Sequence, residues 1–230
     1  MSVDFLSQQD ALKMLSEMKS FINEKSSSYI KEKIDKIRDI NQDRKEMFFN
    51  LLTEENNRLR TYSDFDVTLY AISIIDEDFF KKLNVKRHCE SHSDSMEYDP
   101  RKNGENIIRH GISLRESIGC NRFGTLIINA YSEKDKRSAY FSDINMSMLE
   151  LPIPETMHHK FTLTVAENKY PKIRIISVRT FGKKGYKKVF NKGLLGDIYE
   201  NEVNKEEKVE EFKNNCCNII ENQLFPFAGE

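Results

Sequence analysis

The segment from 168 to 196 concentrates the basic residues of this chain. It holds nine lysine and arginine residues and no aspartate or glutamate. The whole chain has 36 basic and 37 acidic residues, so the remainder has 27 basic against 37 acidic residues. Such segregation builds a local positive potential that attracts phosphates or acidic protein surfaces.

Aromatic residues are interleaved with these cations, at Tyr170, Phe181, Tyr186 and Phe190. Mixed cations and rings are typical of surfaces that contact phosphates and stack bases of single-stranded nucleic acid. The sequence therefore predicts a polyanion site on a basic hairpin spanning about 169–192. The alternatives are an intramolecular or protein contact, or solubility alone. The predicted contact residues are Lys172, Arg174, Arg179, Lys183, Lys184, Tyr186, Lys187, Lys188 and Lys192.

The run Gly182-Lys183-Lys184-Gly185 is similar to the GXXG loop of KH domains. In that family the loop clamps a nucleic-acid backbone, and it joins two helices. Here the preceding residues have the pattern of a strand, so a glycine-flanked loop of another fold is the competing interpretation.

Glu167 and Lys169 resemble the E-x-K half of restriction-type nucleases. That resemblance implies a carboxylate that holds a divalent metal and a lysine that positions the attacking water. The family pattern also requires an acidic residue on the preceding strand, for which Asp143 is the candidate. Glu167 also fits a hairpin turn, so a metal-dependent nuclease or phosphodiesterase is the alternative function.

Two further clusters could bind metal ions. Asp64 and Asp66 resemble the Asp-x-Asp motif of nucleotidyltransferases, but the glycine which precedes that motif is absent, because the first glycine is Gly104. His88, Cys89 and His92 offer donors that zinc accepts, although a structural zinc site needs four ligands and no second pair has matching spacing. We therefore predict neither a metal nor a cofactor.

The first 60 residues predict an amphipathic helical arm. Apolar residues recur at helical spacing through two stretches, first around Leu15 and Met18 and then around Ile30, Ile34 and Ile37. The arm could pack on the rest of the chain or associate with a second copy, so a homo-oligomeric assembly protein is a further alternative.

Residues 61–230 predict an α+β domain. Alternating residues from Phe65 to Ile72 indicate a strand, and 76–83 and 105–118 indicate helices. Strands at 123–132 and 138–149, and at 161–166 and 172–180, form two hairpins. We expect an antiparallel sheet built mainly from residues 61–190, with a final helix at 201–224 packed on it.

The composition indicates a cytoplasmic protein that does not enter membranes. No apolar run approaches the roughly 20 residues needed to span a bilayer, and the start lacks a signal-peptide pattern. Four scattered cysteines do not form a disulfide framework. The predicted function is non-catalytic binding or regulation, with nucleic acid or an acidic protein as partner.

Overall fold

The computed structural model describes residues 8–54, 59–85, 96–115, 130–143, 150–151, 161–169, 172–182 and 186–219. It confirms an α+β fold. The helices are α1 (Gln8–Asn23), α2 (Ser27–Asp35), α3 (Gln42–Thr53), α4 (Thr61–Ile75), α5 (Glu77–Leu83), α6 (Pro100–His110), α7 (Tyr186–Gly193) and α8 (Lys205–Ile219). The strands are β1 (Met96–Tyr98), β2 (Ala130–Ser132), β3 (Arg137–Asp143), β4 (Phe161–Lys169) and β5 (Lys172–Phe181). A π-helical turn, Leu194–Ile198, follows α7.

The five strands form one mixed sheet in the order β1-β5-β4-β3-β2. Strands β2 to β5 are an antiparallel meander, which confirms both predicted hairpins within the described residues. Strand β1 adds a parallel edge, pairing Met96 to Tyr98 with Ile173 to Ile175. This short edge strand was not predicted from the sequence.

Both faces of the sheet are covered. On one face Phe141, Leu163 and Phe181 pack with Ile198 of the π-helical turn and Phe212 of α8. The rings of Phe141 and Phe212 lie 6.1 Å apart. The predicted packing of the C-terminal helix on the sheet is therefore confirmed. On the other face Tyr98, Ile175 and Val178 pack against Ile112 and Leu114, in the segment that follows α6.

The predicted strand near Phe65 is wrong, because residues 61–75 form helix α4. Every residue from Ser63 to Ile72 is buried. A helix enclosed on all sides has no wet face, so it loses the 3.6-residue period that identifies an amphipathic helix. The alternation of apolar and polar residues remained visible in the sequence, and it indicated a strand. Burial of the segment in the fold favours the helix instead.

The N-terminal helices pack around α4. Ile30, Ile34 and Phe48 are buried in one cluster with residues of α4 and α6. Ser26 caps α2 and Asn41 caps α3, and each side chain accepts a backbone hydrogen bond. The apolar residues of α1, α2 and α3 are thus covered by the chain's own helices, and association with a second copy stays a prediction.

Helix α6 begins earlier and ends earlier than predicted. Asp99 caps its start and Pro100 is its first residue, a position that suits proline. Gly111 ends the helix with φ of 71°, a left-handed conformation that glycine adopts without strain. Gly111 therefore terminates the helix that the sequence analysis extended to residue 118.

None of the helices in the described ranges is long and apolar enough to cross a bilayer.

We expect Ile34→Ala to lower the free energy of unfolding by roughly 2 to 5 kcal/mol, because it leaves a cavity in a packed cluster. Ile34 is 1% exposed. Chemical denaturation checks the change, and sedimentation should show no change in mass. Leu12→Ala is the control, because Leu12 is 46% exposed. Equal losses in the two variants would contradict this packing.

Candidate anion-binding cleft

A cleft of about 700 Å³ lies between α6, β5, α7 and the π-helical turn. It forms because β1 pairs only as far as Ile175, so the rest of that β5 edge is open to α6. Asn106 closes part of the gap, since its Oδ1 accepts a hydrogen bond from the Val178 amide at 3.1 Å. The cleft therefore has one helical wall and one strand wall.

A β-bulge positions two arginines of β5 in the cleft. The register with β4 shifts between Val165 and Ala166, which inserts one extra residue into β5. Arg174 and Arg179 are five residues apart, a spacing that would place them on opposite faces of a regular strand. The extra residue brings both onto the same face, and both line the cleft.

Most cations of the cleft are held by acidic neighbours. The Arg174 Nε donates to Glu97 at 2.6 Å, and an Arg179 Nη donates to Asp197 at 2.5 Å. Glu105 lies between two cations of α6, with Lys102 at 3.1 Å and Arg109 at 3.0 Å. These pairs fix the side chains and neutralise part of the charge.

Two lysines of α7 differ from these paired cations. Lys188 and Lys192 are one helical turn apart, exposed, and both line the cleft. In the part of the chain that the structure describes, neither has an acidic partner. A bound anion could therefore contact these two lysines without breaking an existing ion pair.

Asp197 sits at the base of the cleft, where burial raises the pKa of its carboxyl and the Arg179 guanidinium opposes that shift. The Ser177 hydroxyl also donates to this carboxylate, at 3.4 Å. Asp197 therefore connects β5 to the π-helical turn and orients Arg179.

His110, the last residue of α6, also lines the cleft. Burial is the largest cause and nearby cations, with Arg179 the strongest of them, are the next, and together they lower the pKa of its imidazole to about 3. The ring is therefore neutral near pH 7.

This imidazole makes stability depend on pH. Its pKa is lower in the folded chain than in the unfolded chain, so below about pH 6.5 the unfolded chain binds more protons and stability falls as pH falls. The loss is at most about 1.4 kcal/mol per pH unit for one group. Glu202, whose pKa is lowered to about 2 first by the Ser132 hydroxyl, adds a loss only below its usual pKa of 4.5.

We therefore expect His110→Asn to flatten the decline in unfolding free energy between about pH 6.5 and pH 4.5. The raised pKa of Asp197 acts in the opposite direction, so the difference between wild type and variant is the quantity to compare. Urea denaturation across this range measures it. Parallel profiles would show that the neutral ring does not contribute.

The structure brings four of the predicted contact residues together: Arg174, Arg179, Lys188 and Lys192 line the cleft. Lys172 and Lys187 are outside its lining. Lys183 and Lys184 lie outside the described residues, as do Gly185 and the side chain of Tyr186.

The predicted basic hairpin at 169–192 is wrong in its second half, because residues 186–193 form α7. The basic face of α7 replaces the second strand of that hairpin. The residues similar to a GXXG loop stand between β5 and α7, not between two helices.

The structure separates Asp143 from the other two nuclease candidates. Asp143 pairs with Phe161 and Glu167 pairs with Arg137, at opposite ends of the β3–β4 ladder. Six residues of strand separate them, which is roughly 20 Å at about 3.3 Å per residue. Lys169 lies 3.2 Å from Glu167 in an ion pair.

The paired aspartates of the Asp-x-Asp run do not converge either. Asp64 and Asp66 are two positions apart on helix α4, so they point about 200° apart around its axis. Asp64 bonds Lys19 at 2.5 Å, and Asp66 accepts from Asn103 at 2.6 Å inside the core. His88, Cys89 and His92 lie outside the described residues.

The wall of the cleft that α6 provides was not predicted from the sequence. Lys102, Asn106, Arg109 and His110 recur at three- and four-residue spacing on its cleft face. The Asp99-Pro100 start signal would have placed this helix correctly and revealed its polar face.

Comparison with models of protein families, with curated proteins and with solved structures finds no match to this chain.

Proposed function

We propose that the protein is a non-catalytic binding protein that holds single-stranded nucleic acid in the basic cleft. The proposal rests on the charges of the residues that line the cleft. Six lysine or arginine side chains face four aspartates and glutamates, and two of those lysines have no acidic partner among the described residues.

The shape of the cleft favours a single strand over a duplex. A volume of about 700 Å³ falls within the size range of ligand pockets, which enclose small molecules or a short stretch of chain. A duplex is a wide convex rod that would contact only the rim. A single strand can place its phosphates inside, between α6 and α7.

The charge arrangement favours binding over hydrolysis. Metal-dependent hydrolysis needs carboxylates that converge on a metal ion. Of the four acidic residues that line the cleft, Glu105 and Asp197 are instead each engaged by an arginine, and Asp99 caps the start of α6. Binding needs only a positive potential. The cleft has more positive than negative side chains in its lining, whether or not its carboxylates are paired.

Fluorescence anisotropy with labelled oligonucleotides tests the proposal. We expect single-stranded DNA or RNA to bind at about 50 mM salt and duplex of the same length to bind more weakly. An oligoglutamate peptide is the second ligand to be tested, because an acidic protein would bind through the same positive charges. Binding of the peptide but of no nucleic acid would overturn the proposal in favour of a protein partner.

The proposal includes a cytoplasmic location, where nucleic acid is accessible and the chain's cysteines would stay reduced. It does not require a second copy of the chain, because the cleft is built from elements of one chain.

A further inference from the structure

Cations from four different elements surround His110. Arg44 of α3, Arg109 of α6, Arg179 of β5 and Lys192 of α7 each act electrostatically on its ring. Three of these four residues line the cleft, as the ring itself does. Arg44 stands behind them, 9% exposed, with its Nη1 donating to the Ile108 carbonyl at 3.5 Å.

Four acidic residues line the same cleft: Asp39, Asp99, Glu105 and Asp197. Of these, Glu105 is paired with Arg109 and Asp197 with Arg179. The Nε of Arg179 is buried and has no hydrogen-bond partner in the described part of the chain. A buried donor without a partner is unfavourable, so an arriving acceptor would be stabilised there.

The imidazole itself can bond a ligand. No hydrogen bond from another described residue occupies its ring nitrogens. A neutral ring has one donor and one acceptor nitrogen, whereas the imidazolium has two donors. Phosphate oxygens accept hydrogen bonds only, so a phosphate at this position favours the protonated ring.

We propose, on the basis of the function proposed above, that this end of the cleft is a phosphate subsite. There one phosphate group meets His110, Arg179 and Lys192, and His110 takes up a proton from solvent as the phosphate enters. No covalent bond forms or breaks. The phosphate adds the negative charge that offsets the extra positive charge of the ring.

The expected consequence is a coupling between affinity and pH. Burial and then the surrounding cations hold the pKa of the free ring near 3, and we expect the charge of a bound phosphate to offset the cations and raise this pKa towards the ordinary value of 6.5. Below the pKa of the bound form, affinity should rise up to about tenfold for each pH unit of acidification. Above it, affinity should not change with pH.

Isothermal titration calorimetry of the full chain measures the proton directly. The probe is oligothymidylate without terminal phosphates, which does not titrate between about pH 5 and 8. At about pH 6, titrations in two buffers of different ionisation heat should show uptake of more than about half a proton per site. His110→Asn should bind with almost no uptake, and a variant with His158 and His159 changed to asparagine should keep it.

The nuclear magnetic resonance titration of the His110 ring in the wild type gives a second readout, should His110→Asn fail to fold. Its pKa should rise on binding. Binding without proton uptake, or an unchanged pKa of the ring, would overturn the subsite and leave the proposed function standing. Absence of any binding would overturn both.

Discussion

The double variant Lys188→Glu, Lys192→Glu should bind single-stranded oligonucleotide at least about 100-fold more weakly than the wild type. Two phosphate contacts would be lost and the new carboxylates repel phosphate, and a 100-fold loss corresponds to about 2.8 kcal/mol. Both lysines are exposed, so the fold should be retained. Fluorescence anisotropy at low salt measures the loss, and circular dichroism checks the fold.

The matched control is Lys13→Glu, Lys31→Glu, which changes the net charge by the same amount. Lys13 and Lys31 are exposed residues of α1 and α2 that do not line the cleft. We expect this control to change affinity by less than about threefold, because salt screens charges beyond about 10 Å. Equal losses in the two variants would show that net charge, and not the cleft, determines binding.

Gly104→Leu should prevent the chain from accumulating in its folded form. A Cβ at Gly104 would lie 2.0 Å from the Asp66 carbonyl oxygen and 2.9 Å from the Tyr70 Cβ. Carbon and oxygen atoms normally stay at least about 3.3 Å apart, so α6 would have to move away from α4 by more than 1 Å. That movement would open the cluster that buries Ile107 and Ile108.

The expected cost exceeds about 5 kcal/mol, which is comparable to the whole stability of many domains. Gly196→Ala is the control, because a Cβ there meets nothing within 4 Å. Thermal unfolding and the soluble yield compare the two. A folded Gly104→Leu variant with a melting temperature near that of Gly196→Ala would show that the two helices are not so close.

The sheet could be predicted from the sequence because its hairpins are marked by clear turns. The charged run Glu133 to Arg137 marks the first hairpin, and residues near Pro171 mark the second. The buried helix α4 could not be predicted, because burial of every residue from Ser63 to Ile72 removes the helical period. The short strand β1 has too few residues to show a pattern.

The candidate site, like the fold, could be predicted from the sequence only in part. Clustering along the chain is visible in a sequence, so the cations of β5 and α7 were found. The contribution of α6 depends on the parallel pairing of β1 with β5, which places Lys102, Arg109 and His110 opposite residues some 70 positions later. The bulge that aligns Arg174 with Arg179 is likewise set by pairing with β4.

The salt dependence of binding tests the cleft as the ligand site most directly. If four phosphates are contacted, log affinity for a single strand should fall against log salt with a slope near −3, at about 0.7 per phosphate. In the Lys188→Glu, Lys192→Glu variant the slope should fall to about half, because two of the cations are gone. A wild-type slope near zero, or the same slope in both proteins, would contradict a phosphate-binding cleft between α6, β5 and α7.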